Sequence, residues 1–124
     1  MGRVLLSAAL AASVLAAPAH ADQVRFTGQT TADDSLVRDT VQYILKFGYA
    51  AWNCPTLEAV EAVILPPSYK PKGAATRPEA GRGTYESWNA TLCGKKVRFL
   101  VTFWPADQGG MMFAIGHPYP EDAP

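Results

Sequence analysis

The chain has 124 residues, with 11 basic and 11 acidic side chains and a formal net charge of zero. That balance argues against a nucleic-acid binder, which needs a basic face to displace counterions, and against strong adhesion to anionic lipid. The length suits one folded unit rather than several.

Residues 1–21 carry one positive charge at Arg3, a Leu-, Ala- and Val-rich run from Val4 to Ala17, and then Pro18-Ala19-His20-Ala21. This is the layout of a secretory signal peptide, with cleavage expected after Ala21. Its apolar run is about 14 residues, short of the roughly 20 needed to cross a bilayer. No cysteine stands at the cleavage site to take an acyl chain, and no later stretch is apolar enough to span a membrane. The expected product is a free soluble protein, periplasmic or secreted, without a transmembrane anchor. In an oxidising compartment Cys54 and Cys93 are expected to form a disulfide.

From Asp22 to Thr31 the lead-in is polar except for Val24 and Phe26, and either adds a strand or frays. Thr31-Ala32-Asp33-Asp34 has the spacing of a capping box, its two aspartates read as a cap complementing the helix dipole, and a helix is expected to follow. Val37, Val41, Ile44 or Leu45, Gly48 and Trp52 define its buried face, with Arg38, Asp39, Gln42 and Lys46 pointing away. Asn53-Cys54-Pro55 ends it, because a proline disfavours helical geometry in the residue before it. Thr56–Leu65 fits either a short helix or a strand, and the extended backbone forced by Leu65-Pro66-Pro67 favours the strand. Residues 66–83, rich in proline and glycine, read as a long flexible loop.

The last third reads as a β-meander. Thr84–Leu92, Lys96–Trp104 and Met111–Ile115 are strands, with Cys93-Gly94 and Pro105–Gly110 as turns. Val97, Phe99, Val101 and Phe103 share one face, which must be core. The expected fold is α+β: one N-terminal helix packed on a three- to four-stranded antiparallel meander, spanning residues 22–116 and tied by the Cys54–Cys93 bridge. Residues 117–124 read as a loose tail.

Cys54, Trp88, Cys93-Gly94, Val97, Phe99, Val101, Phe103, Pro105 and Gly109-Gly110 together resemble a pattern seen in small uncharacterised proteins exported by Gram-negative bacteria. The resemblance implies a periplasmic compartment and brings with it no reaction, substrate or binding residue.

Catalytic patterns fail on inspection. His117, the one histidine beyond the leader, sits in a proline-rich tail where nothing holds an imidazole for proton relay or, with Glu121 and Asp122, for metal binding. A bridged cysteine offers no thiolate. Gly81 and Gly83 precede a strand rather than a helix, the wrong context for a phosphate cradle. Glu58, Glu61 and Glu86 have no spacing that pairs two carboxylates. No cofactor and no metal are expected.

What remains is binding. Tyr85, Leu100 and Trp104 are expected on the sheet face away from the helix, as an apolar patch for a partner or as a second small core. Lys70, Lys72, Arg77 and Arg82 make the 66–83 loop a basic contact for an acidic partner, or a solvated connector. The expectation is a non-enzymatic module binding another periplasmic or extracellular protein through the open face or edge of its sheet. By fold analogy alone, the layout is also that of cystatin-like inhibitors. The alternative is a small-ligand carrier or hydrolase with a pocket between helix and sheet, using Glu86 or Glu61 as its polar group.

Overall fold

The computed structural model describes residues 23–72 and 83–124. Residues 1–21, expected to be a signal peptide, and the loop positions Arg77 and Arg82 therefore lie outside the described residues. Six elements follow in order: β1 (Arg25–Gly28), α1 (Asp34–Trp52), β2 (Leu57–Ile64), β3 (Thr84–Leu92), β4 (Lys95–Pro105) and β5 (Met111–Gly116).

The strands form one sheet in the order β1-β2-β3-β4-β5. β2 through β5 pair antiparallel, but β1 runs parallel to β2. That corrects the expected all-antiparallel sheet of three or four strands. The helix is also not the first element, since the lead-in supplies β1 and α1 becomes the crossover that two parallel neighbours require. The same parallel pair departs from the all-antiparallel sheet of the cystatin analogy. Thr56–Leu65 resolves as strand β2.

Local chemistry sets the ends of these elements. Gly28 closes β1 at φ +90, where any Cβ would run into the Ala62 carbonyl. Asp33, rather than Thr31, caps α1, its carboxylate accepting from the Leu36 N–H at 2.8 Å. At the other end Asn53 adopts the left-handed conformation, and the Asn53 and Cys54 N–H groups return to the Tyr49 and Gly48 carbonyls. Those bonds satisfy carbonyls that a helix end otherwise leaves open. Cys93 and Gly94 both have positive φ, as a two-residue hairpin turn of type I′ demands.

One core fills the space between α1 and the sheet. Leu36, Val41 and Ile44 pack there with Leu57, Val60, Trp88, Leu92, Phe99, Val101 and Phe103, all buried. The Val97–Phe103 face is thus turned inward, with Val97 half-buried. Trp52, expected in the helix stripe, is instead 46% exposed. Gly48 is buried because a Cβ there would meet the Leu92 side chain at 3.0 Å, so helix and sheet approach closely at this point. Cys54 and Cys93 are bonded across this contact, with Cα atoms 6.0 Å apart.

Candidate functional site

The sheet face away from α1 is partly covered by the chain itself. Leu100 is buried with Leu65 and Tyr69, and Tyr85, Tyr119 and Ala123 pack against them. Leu100 is 1% exposed, and Tyr85 and Trp104 are half-buried. Of the three patch residues, Leu100 and Tyr85 lie in a second small core formed with the start of the 66–83 loop and the tail, and Trp104 is not among its described members. Lys70 and Lys72 stay exposed.

The tail expected to be loose makes specific contacts. Arg98 donates from Nε to Ser87 Oγ at 2.7 Å and from its terminal nitrogen to the Pro124 carbonyl at 2.9 Å. Its guanidinium lies 4.0 Å from the centre of the Tyr119 ring, and the Tyr119 hydroxyl also donates to Pro124 O. His117 packs against Phe47, Trp52 and Phe99. The Tyr69 hydroxyl, in this second core, and Thr102 Oγ1 are buried without a hydrogen-bond partner. Burial raises the Tyr69 pKa above its ordinary value, with smaller contributions from Asp122, Tyr119 and Tyr85.

The two carboxylates singled out for a helix–sheet pocket have different fates. Glu86 is fully buried on the helix side, and its oxygens accept from Thr31 N–H, Thr31 Oγ1 and Trp88 Nε1. Glu61 belongs to the opposite face, in the cross-strand row Thr27, Glu61, Asn89 and Arg98. Among the described residues no group of three or more His, Cys, Asp or Glu side chains could hold a metal ion. No described helix is long and apolar enough to cross a membrane.

The two edges of the sheet are unlike each other. β1 is short, carries Arg25 and ends on Gly28, features that discourage pairing with another chain. β5 has six residues, Met-Met-Phe-Ala-Ile-Gly, with no charge and no proline. Met111 and Met112 are 49% and 47% exposed. The Ala106 N–H donates to the Gly110 carbonyl at 3.0 Å. Bonded pairs recur at every second residue of an antiparallel ladder, so Met112, Ala114 and Gly116 bond to β4. Met111, Phe113 and Ile115 therefore present their backbone N–H and C=O groups outward. On the helix side the Tyr43 ring packs edge-on against Phe113 at 5.7 Å, extending an apolar wall along this edge. The signal in the sequence was the uncharged run itself.

No protein-family model, curated protein or solved structure matches this chain.

Proposed function

We propose that this protein is an exported, non-enzymatic binding module that takes an extended segment of another protein as an additional strand beside β5. The carrying observation is the contrast between the edges: β1 is short and charged, whereas β5 offers free backbone groups with no charge or proline among six residues. Sheets ordinarily guard such an edge with lysine, proline or a covering element, and an unguarded one pairs readily with an incoming strand. Export is supported by the leader pattern of residues 1–21 and by the disulfide, a bond that persists in oxidising compartments. The pocket alternative draws no support from Glu86, which is taken up by internal donors, or from Glu61, which faces away from the helix.

The test places a photo-crosslinking residue at Met111, or at Arg38 on the exposed side of α1, in cells that naturally make the protein. The expected result is one defined adduct from Met111, absent from Arg38 and lost when Met112→Lys and Ala114→Lys charge the edge. Equal adducts from both positions, or an adduct indifferent to the two lysines, would refute the reading.

A further inference from the structure

β5 pairs only with Leu100–Pro105 of β4, so the first half of β4 has no strand on that side. By the ladder alternation that turns Leu100, Thr102 and Trp104 toward β5, Lys96 directs its backbone N–H and C=O into this notch. A groove of about 290 Å³ opens beside it. It is bounded by the Cys54–Cys93 bridge, Leu92, Val97 and Trp52, with Lys95 and the Lys96 backbone at its rim, because alternation along β4 sends the Lys96 side chain to the opposite face, beside Thr91 and Glu61.

Lys95 is exposed and has no hydrogen-bond or ion-pair partner among the described residues. The acid at the same end of the sheet, Glu58, does not line the groove, and its carboxylate accepts from the Gly94 N–H at 3.3 Å. One uncompensated cation and an outward backbone donor therefore border a surface of sulfur, aliphatic carbon and an indole ring. Cations and N–H donors favour a carboxylate, while the floor and the indole favour an apolar body. The volume lies at the small end of ligand pockets, which suits a single ring or a short alkyl chain.

We infer that this groove is a binding site for a small organic carboxylate with an aromatic or aliphatic body. The carboxylate sits at the rim between the Lys95 side chain and the Lys96 backbone N–H, and the body lies on the disulfide beside Trp52. This site is separate from the β5 edge and does not depend on the strand-addition reading.

The probe is 3-phenylpropionate, titrated into the disulfide-bonded protein and followed by amide and indole NMR shifts. Its uncharged analogue 3-phenylpropanamide supplies the comparison. Saturable shifts are expected at Lys96, Val97 and the Trp52 indole. Affinity should fall by at least about tenfold for the amide and for Lys95→Gln. Trp52→Ala should weaken acid and amide alike, and Lys70→Gln should change neither. Absence of saturable shifts, shifts centred elsewhere, or equal binding of acid and amide would overturn the assignment. An unchanged melting temperature of Lys95→Gln shows that any loss is one of binding and not of folding.

Discussion

Glu86 and Thr31 lie 55 residues apart in sequence, yet a single carboxylate oxygen of Glu86 accepts both the Thr31 backbone N–H, at 2.8 Å, and the Thr31 hydroxyl, at 2.7 Å. Its other oxygen accepts from the Trp88 indole at 2.9 Å. The bonds fasten the segment leading into α1 onto β3. A buried carboxylate is tolerated when such donors replace its water.

Glu86→Ala strands the Trp88 donor inside the core and frees the Thr31 segment, so a loss of about 2 to 4 kcal/mol in urea unfolding is expected. Glu86→Gln keeps the shape and one acceptor, and should lose about half as much. Equal stability of Glu86→Ala and wild type would show that the clamp contributes nothing.

Tyr69 buries a hydroxyl with no partner, a group that is costly to desolvate. Tyr69→Phe should therefore be neutral or stabilising by up to about 1 kcal/mol. The folded state raises the phenol pKa, chiefly through burial, so its contribution to stability is complete below the unfolded value and falls as pH rises through the folded one. Alkaline unfolding curves should show that loss in wild type and lack it in Tyr69→Phe.

The Cys54–Cys93 bridge spans 39 residues of sequence. On the chain-entropy account its removal by Cys54→Ser with Cys93→Ser should reduce stability by roughly 3 to 4 kcal/mol. Reductant should lower the wild-type unfolding midpoint and leave the double variant's unchanged. Intact mass after alkylation without reductant should show no modified thiol.

Arg98→Ala removes the bonds to Ser87 and Pro124 and the contact with the Tyr119 ring. Faster hydrogen exchange confined to residues 117–124 and the facing Leu65–Tyr69 segment is the expected outcome. Arg98→Lys should rescue little, because a lysine cannot span both hydrogen bonds with one planar group. Unchanged exchange in Arg98→Ala would mean that apolar packing alone holds the tail.

Much of the architecture was legible because period and punctuation are local properties. Val97, Phe99, Val101 and Phe103 alternate on one strand, the prolines after Leu65 forbid a helix there, and Cys93-Gly94 fits only a tight turn. The parallel pairing of β1 was not legible, since Arg25–Gly28 is too short to declare a direction and gains its strand only from β2. Asp33, one of the two aspartates read as a cap, caps the helix, while Thr31 leaves its capping-box role because Glu86, distant in sequence, takes its N–H and hydroxyl.

By itself the sequence determined the α+β class, the inward face of β4 and the cysteine pairing, because alternation, turn chemistry and redox context act without knowledge of distant partners. Only the tertiary structure decided which surfaces stay open. Leu100 reads as exposed until Leu65, Tyr69 and the tail cover it, and Trp52 reads as buried until β5 stops short at Leu100. Exposure depends on what arrives from elsewhere in the chain, and no local pattern records that arrival.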